Sequence, residues 1–287
     1  MAMETTAAAP WADMATDCLV HVFRRLDLED LAAAAPLVCR GWRRAAADPS
    51  LWRALDLRRD HVARFMPWAP LAAAFARRYA VPRFTFPGFL RLCLARAQGS
   101  AADLALPPLL ASPAADLHLV SLQCPRLRRL AIPQLPAGDE ARLPELVRRW
   151  PLLEHLEVEA KPSSCFPALA EQLALHCPRL AGLKTSGAVK PEDAAAMARW
   201  LPGLRSLCLD GSYLPKPQLL AVLAGCAELR EFSARGCVGF DAGDEEVAER
   251  GAGIRRFDVG GSRLVDELDD EMAGGDGRCG DSYVDVM

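Results

Sequence analysis

Short apolar stripes with helical spacing mark the first part of the chain, residues 11–57. Within each stripe the hydrophobic residues lie mostly three or four positions apart, which is typical of amphipathic helices that bury one face. These residues are Leu19, Val22, Phe23, Leu26, Leu28, Leu31, Val38, Trp42, Leu51, Trp52 and Leu55. Pro36 and Asp48-Pro49 stand where helices are expected to end or begin. We predict three short helices whose core is too small to bury every apolar side chain, so the surplus apolar face needs a partner.

A different pattern follows, in which an apolar residue, two others, a second apolar residue, one other and a third apolar residue recur. Its clearest copies begin at Leu127, Leu153, Leu180, Leu204, Leu229 and Ile254. The intervals between these first positions are 26, 27, 24, 25 and 25 residues. Weaker copies begin at Trp52, Val81 and Ala101. A period this regular indicates a repeat architecture in which each unit packs on the next.

The segments between these copies predict one short helix per repeat. They span 112–123, 144–150, 167–176, 191–200, 217–224 and 244–250. Proline stands at or near the start of most of them, where its missing N–H costs little, and a proline after several prevents the helix from continuing. Each unit is therefore predicted to be one strand and one helix. Stacking such units gives an α/β solenoid with a parallel sheet on its concave face.

The N-terminal stripes resemble the F-box family. The resemblance rests on the motif residues Met14, Cys18, Leu19, Val22, Phe23, Leu26, Leu28, Asp30 and Leu31, then Val38-Cys39-x-x-Trp42-Arg43, then Asp48-Pro49-x-Leu51-Trp52. It implies a three-helix module that docks on the Skp-type adaptor of a cullin-RING ubiquitin ligase. The implied adaptor-binding residues are Met14, Leu19, Val22, Leu26, Leu28, Leu31, Val38, Trp42, Leu51 and Trp52. The family usually begins with Leu-Pro where this chain has Met14-Ala15, so we expect a weaker first contact with the adaptor.

The repeats resemble the cysteine-containing leucine-rich repeats of F-box proteins, especially those of plants. Cys-Pro-Arg-Leu occurs twice, at 124–127 and at 177–180. The resemblance implies an arc of about seven short leucine-rich repeats. It departs at the corner after each strand, where that family often has Cys or Asn. Only Cys237 fits this pattern, and the other repeats have Leu135, Lys161, Ala188, Ser212 and Ser262. We therefore expect no regular hydrogen-bond ladder at that corner and an irregular curvature.

These patterns divide the chain into five parts. We predict a disordered N-terminus at 1–10, the F-box at 11–57, a connecting segment with degenerate first repeats at 58–98, the leucine-rich repeats at 99–262 and an acidic disordered tail at 263–287. The tail is predicted because Asp266, Glu267, Asp269, Asp270 and Glu271 precede Gly-rich sequence without the repeat pattern.

Composition and charge argue against several classes of protein. Hydrophobic residues make up 51% and charged residues 25%, which is ordinary for a globular protein, and a net charge of −3 gives no support for binding nucleic acid or an anionic membrane. The ten cysteines include no Cys-x-x-Cys pair, and the sequence has neither a signal peptide nor an apolar run that approaches the roughly 20 residues of a membrane span. We expect reduced thiols and a cytoplasmic or nuclear location, or both.

The sequence does not assemble a catalytic or metal site. Its five histidines are scattered without metal-ligand spacing to cysteine. Neither a phosphate-binding Gly-rich loop nor a Gly-x-Ser-x-Gly nucleophile motif occurs, and no cysteine has an evident base. We therefore expect no enzyme activity in the chain itself, and no cofactor or metal.

The residues between the apolar strand positions are predicted to face the concave side and to bind a protein target. They are Arg129, His155, Glu157, Lys184, Ser206, Asp210, Glu231, Arg235, Arg256 and Asp258. The same alternation is also typical of any half-solvated strand, so a face without a partner stays open. Our hypothesis is a substrate-recognition subunit of a Skp–cullin–F-box ubiquitin ligase, joined through the adaptor to the cullin and RING subunits. A repeat module that acts outside a ubiquitin ligase and an enzyme with an unrecognised site are the alternatives.

Overall fold

The computed structural model describes residues 11, 13–58, 65–66, 68–108 and 113–264. The predicted disordered N-terminus at 1–10 and all but the first two residues of the predicted acidic tail lie outside this part of the chain. None of the helices within it is long and apolar enough to cross a membrane.

The N-terminal stripes form short helices, as predicted, but in more pieces than three. Helix α1 spans Thr16–Phe23, a π-helical turn at Asp30–Ala34 runs into α2 at Ala35–Val38, α3 spans Arg40–Ala45, and a 3-10 turn covers Pro49–Trp52. Cys39 separates α2 from α3 because its backbone is extended, and its sulfur accepts the N–H of Trp42 at 3.4 Å. Asp48 caps the 3-10 turn in a similar way by accepting the N–H of Ser50 at 2.9 Å.

Two longer helices follow where a degenerate repeat was predicted. Helix α4 spans Pro70–Tyr79 and α5 spans Phe86–Ala97. The copy that begins at Val81 forms no strand, so this prediction is wrong. Thr85 accepts the N–H of Gly88 and caps α5, and Phe84 packs on Phe75 with ring centroids 5.4 Å apart. The apolar residues of this copy therefore complete an aromatic cluster between the two helices and add nothing to the sheet.

Eight parallel strands form one sheet in chain order within the described residues. They are β1 Ala54–Asp56, β2 Asp103–Ala105, β3 Arg129–Ile132, β4 His155–Val158, β5 Gly182–Thr185, β6 Ser206–Cys208, β7 Glu231–Ser233 and β8 Arg256–Asp258. The strand register aligns the middle apolar residue of each copy in one row: Leu55, Leu104, Leu130, Leu156, Leu183, Leu207, Phe232 and Phe257. The predicted leucine-rich-repeat solenoid is confirmed, and the weak copies that begin at Trp52 and Ala101 supply its first two strands.

Helices cover the apolar side of this sheet, close to the predicted bounds. They are α6 Pro113–Gln123, α7 Ala137–Glu140, α8 Leu143–Leu146 with a 3-10 turn at Val147–Arg149, α9 Phe166–His176, α10 Pro191–Trp200, α11 Lys216–Gly225 and α12 Glu245–Gly251. One hydrophobic core runs from Leu19 in α1 to Val247 in α12. The N-terminal module and the repeats therefore share a single core.

The corner after each strand is more regular than the sequence suggested. The N–H of Val238 donates to Ser212 and that of Arg263 donates to Cys237, each at 3.0 Å. The Ser262 hydroxyl donates to the carbonyl of Ala234 at 2.7 Å and accepts the N–H of Cys237 at 3.0 Å. The expectation that this corner has no regular hydrogen-bond ladder is therefore wrong for the last three repeats. Serine supplies a hydrogen-bond donor on a short side chain there, as cysteine does.

Lys161 fills the same corner of an earlier repeat with a buried charge. Its ammonium lies 2.6 Å from Asp193, and both side chains are only 1% exposed. Asp193 also accepts the backbone N–H of Lys190 at 3.0 Å, which fixes the start of α10. The ammonium lies 5.4 Å from the ring centroid of Phe166. Two charges this deep are tolerated only as a pair, because each alone carries a large desolvation cost.

We predict that Lys161→Met lowers the free energy of unfolding by about 3–5 kcal/mol, because it leaves the Asp193 carboxylate buried without its counter-charge. Urea unfolding followed by circular dichroism measures the change. The double variant Lys161→Met/Asp193→Asn should recover part of the loss. Lys190→Met is the matched control, since its ammonium is exposed. An unchanged midpoint for Lys161→Met would contradict the prediction.

Candidate functional site

Part of the apolar surface of the N-terminal module is uncovered. Val38 is 59% exposed and Leu37 is 52% exposed, both at the end of α2, and Val22 on α1 is 40% exposed. Trp42 lies beside them, partly buried, with its ring 5.0 Å edge-on from Phe23. Leu37 was not predicted as a binding residue, because the motif assigns only its neighbour Val38. The exposure of Leu37 depends on where α2 ends, and the sequence pattern did not predict that position.

A groove of about 500 Å³ lies on the same module and extends to Ala54 at the start of β1. Its apolar lining includes Leu26, Leu28 and Leu51, which are partly buried against the core. Leu26 lies three residues beyond the end of α1 and lines the groove itself. We call the surface formed by Val22, Leu26, Leu28, Leu37, Val38 and Leu51 the apolar face.

Three of the predicted adaptor-binding residues serve the core of the module instead. Leu19 is fully buried, Leu31 is 4% exposed and reaches only the floor of the groove, and Trp52 is 1% exposed. The Trp52 indole N–H donates to the carbonyl of Ala46 at 2.9 Å, which satisfies it internally. We correct the prediction for these three, because a partner cannot contact them without opening the module. Met14 and Trp42 are partly buried and border the uncovered surface.

The polar side of the sheet brings the predicted target-binding residues together. The register places Arg129, His155, Ser206, Glu231 and Arg256 in one row. Glu157, Lys184 and Asp258 belong to the adjacent row, and Asp210 and Arg235 lie two residues after β6 and β7. The strand register thus places eight of these residues on one side of the sheet, and Asp210 and Arg235 follow their strands on the same side. We call this side the polar face.

Glu157 links residues from distant strands on the polar face. One of its oxygens accepts from the Arg58 guanidinium at 3.1 Å and the other from the Lys184 ammonium at 2.9 Å. Burial raises the pKa of Glu157, but the hydrogen bonds and charges of Lys184 and Arg58 outweigh it, so its pKa is lowered overall. Arg58 follows β1, and reaches β4 across the small side chains of Ala105 and Ala131.

Asp210 forms a second charged cluster two repeats further on. Its carboxylate accepts the Ser233 hydroxyl at 2.5 Å, the Arg235 backbone N–H at 2.9 Å and the Arg235 guanidinium at 2.7 Å. Burial opposes ionisation, but the hydrogen bonds from Arg235 and Ser233 dominate and lower the pKa of Asp210. The carboxylate therefore holds the turn after β7 against the turn after β6.

The polar face is a groove because its floor is made of small residues. Cavities of about 500 Å³ and 620 Å³ follow it and share Arg58, Ala131, Glu157, Lys184 and Cys208. Gly182 leaves room for the His155 ring, because a Cβ at position 182 would lie 2.2 Å from it and would force the ring to move. The His155 imidazole thus occupies space that any side chain at position 182 would take.

The described residues contain no candidate metal site. Among them, no three His, Cys, Asp or Glu side chains lie close enough to hold a metal ion. Burial raises the pKa of Cys124 and Cys177 to about 12 and that of Cys226 to about 11, so these thiols stay protonated and inert near neutral pH.

The fold and its two faces define a leucine-rich-repeat solenoid that is preceded by a helical module with an uncovered apolar surface. Residues 16–58 match a family model described as F-box-like. An F-box/LRR-repeat protein of Arabidopsis thaliana is 26% identical over 220 residues, which cover 76% of this chain and 69% of the relative.

Two further relatives from the same plant match more of their own length. Putative F-box/LRR-repeat protein 9 is 27% identical, with 83% of this chain and 92% of the relative covered. The F-box protein SKIP19 is 26% identical, with 96% and 90% covered. The resemblance to plant F-box proteins with leucine-rich repeats is therefore confirmed, and these similarities support the general role of an F-box protein for this chain.

We predict that Asp210→Asn removes a pH-dependent part of the stability. The pKa of Asp210 is lowered in the folded protein, so its contribution is complete above its ordinary pKa of 3.8 and is lost as the pH falls through the lower folded value. The variant should be less stable than the unmodified protein at neutral pH, and the difference should shrink on acidification.

Urea unfolding at a series of pH values tests this expectation. Asp139→Asn, on α7 away from the sheet, is the control. A difference in free energy of unfolding that stays constant from neutral pH to about pH 2.5 would contradict the linkage argument.

Proposed function

We propose that this chain is the substrate-recognition subunit of a Skp–cullin–F-box ubiquitin ligase. The apolar face docks on a Skp-type adaptor, which connects the chain to the cullin and RING subunits. The polar face holds a protein target for ubiquitination and degradation. The chain itself is non-catalytic in this proposal, and it works in the cytoplasm or the nucleus, where its free thiols stay reduced.

The observation that carries the proposal is the uncovered apolar face on the region that matches the F-box-like model. Single exposed hydrophobic residues are common on protein surfaces, but Val22, Leu37 and Val38 are all exposed on one small module that also has a groove lined by Leu26, Leu28 and Leu51. Burial of one such side chain is worth about 1.5–3 kcal/mol. A few of them therefore suffice for a stable interface with an apolar partner.

The dimensions of the polar face favour a protein as the target. Neighbouring strands lie about 4.8 Å apart, so eight strands extend over roughly 34 Å. Its cavities are open grooves, and it presents exposed charges of both signs, such as Arg129, Lys184 and Asp258. An extended, mixed-charge surface suits a protein segment with complementary charges.

The contribution of the chain to ubiquitin transfer is proximity. A target held on the polar face and an adaptor held on the apolar face are joined by one hydrophobic core. The effective concentration of target lysines near the conjugating enzyme is then set by geometry, and no group of this chain needs to react.

We expect the double variant Leu37→Asp/Val38→Asp to weaken adaptor binding by at least about 100-fold, because two side chains at 1.5–3 kcal/mol each are replaced by charges. Isothermal titration of the purified chain with a Skp-type adaptor measures the affinity. Leu175→Asp is the matched control, since Leu175 is 61% exposed on α9 of the repeats. Wild-type affinity in the double variant, with an unchanged melting temperature, would remove the proposed interface. Failure of the unmodified chain to bind any adaptor would favour a repeat module outside a ligase.

We expect the double variant Arg129→Glu/Arg256→Glu to lose target ubiquitination while it keeps adaptor binding. The two arginine side chains are 67% and 74% exposed, so charge reversal changes recognition without disturbing the core. Ubiquitination by the reconstituted ligase, followed by quantitative mass spectrometry, is the measurement. Arg149→Glu/Arg250→Glu, on the helical side, is the control. Equal target modification by both double variants would show that the polar face does not select the target.

A further inference from the structure

An arginine-lined cleft lies where the N-terminal module meets the first repeats. Its volume is about 450 Å³, and its lining residues are Pro49, Ser50, Arg53, Ser100, Ala102, Arg126, Arg128 and Leu152. Arg53 directly precedes β1 and Arg128 directly precedes β3, so the cleft lies at the end of the sheet where the strands begin. Nothing in the two faces described above uses its guanidinium groups.

The backbone that carries these arginines is held in place by the fold. The Arg53 carbonyl accepts the N–H groups of Ala102 at 2.8 Å and Asp103 at 3.0 Å. The Ala102 carbonyl accepts the N–H of Arg128 at 2.7 Å. The Ser100 hydroxyl donates to Ala97 at 2.6 Å and to Pro49 at 3.2 Å, which ties the repeat to the 3-10 turn of the module. The fold therefore fixes the backbone of the cleft before any ligand binds.

The charge of the cleft is locally positive in an acidic protein. Arg53, Arg126 and Arg128 are exposed, whereas the whole chain has a net charge of −3. Among the described side chains, Glu154 lies 3.8 Å from Arg128, and the Asp48 carboxylate is occupied by the N–H of Ser50. Guanidinium groups bind carboxylates by paired hydrogen bonds, so the cleft fits an acidic ligand.

The position of the cleft selects its occupant. Ser50 and Arg53 line both this cleft and the groove of the apolar face, so the two surfaces are continuous. A protein that fills the groove reaches the cleft without a gap. We propose that the cleft receives a carboxylate-rich segment of the same adaptor that docks on the apolar face. This inference rests on the proposed function, and extends the adaptor interface from the F-box-like region onto the first repeats.

The test compares two charge-reversal variants of arginines that lie before strands at the same end of the sheet. Arg126→Glu/Arg128→Glu changes the cleft. Arg205→Glu/Arg230→Glu is the control, because Arg205 and Arg230 directly precede β6 and β7, far along the sheet from the module. Affinity of the full chain for a Skp-type adaptor is measured by isothermal titration at several salt concentrations, with inorganic phosphate as a competitor in a separate series.

We expect the cleft variant to bind at least about 10-fold more weakly at low salt and to show a smaller salt dependence, because screened charge pairs are lost. The control should bind like the unmodified chain. Arg126→Gln/Arg128→Gln should weaken binding less than charge reversal, and an unchanged melting temperature excludes misfolding.

Four outcomes would overturn the inference. Unaltered affinity of the cleft variant, while Leu37→Asp/Val38→Asp still abolishes binding, leaves the proposed function intact and removes the extension. Equal weakening by the control shows only a general effect of charge. Competition by millimolar phosphate at constant ionic strength would make the cleft a site for small anions. If the unmodified chain binds no adaptor, the proposed function fails and this inference fails with it.

Discussion

The row of apolar residues along the middle of the eight strands is the constraint on which the rest of the structure depends. A strand of three or four residues and its helix bury too little surface to be stable alone, so each repeat needs its neighbours. Leu55 opens the row and belongs to the N-terminal module, whereas Leu104 next to it belongs to the repeats. The module therefore acts as the first cap of the solenoid, and its inner side is committed to the shared core.

Because the inner side of the module packs into the shared core, the apolar residues of the F-box-like motif divide into buried and exposed ones. The pattern of α1 and of the following turns identifies every apolar position, but helices of four to eight residues do not reveal which positions face inward. Leu19, Leu31 and Trp52 pack inward because the core continues into β1 beside them. Leu37 and Val38 remain outside because Cys39 interrupts the helix. Composition and spacing are the same for both groups, so the sequence could not separate them.

The repeats could be predicted because they depend on spacing along the sequence. The contacts across the polar face could not be predicted, because they depend on the folded structure. A period near 25 residues places successive strands in register, and period-two alternation then assigns Glu157 and Lys184 to one side. The pairing of Glu157 with Arg58 depends instead on two intervening small residues and on the curvature of the sheet, which are long-range properties. The segment that begins at Val81 shows that the spacing of a repeat does not by itself produce a strand. Its spacing equals that of a repeat, but it forms the connection between α4 and α5, where Thr85 caps α5 and Phe84 packs on the neighbouring phenylalanine rings.

The geometry between the two faces is set by strand pairing and not by the length of the connecting chain. The N–H of Leu57 donates to the carbonyl of Ala105 at 2.9 Å, and β1 pairs directly with β2. The two strands are neighbours in the sheet although Asp103 lies 46 residues after Leu57 in the sequence. A subunit that works by proximity needs its two binding surfaces at a fixed separation, because effective concentration falls when the link between them becomes loose. Insertion of β1 into the sheet supplies that rigidity. In the proposed function, substitutions at Leu55 or Leu104 would act through the relative placement of the faces, even where both faces remain intact.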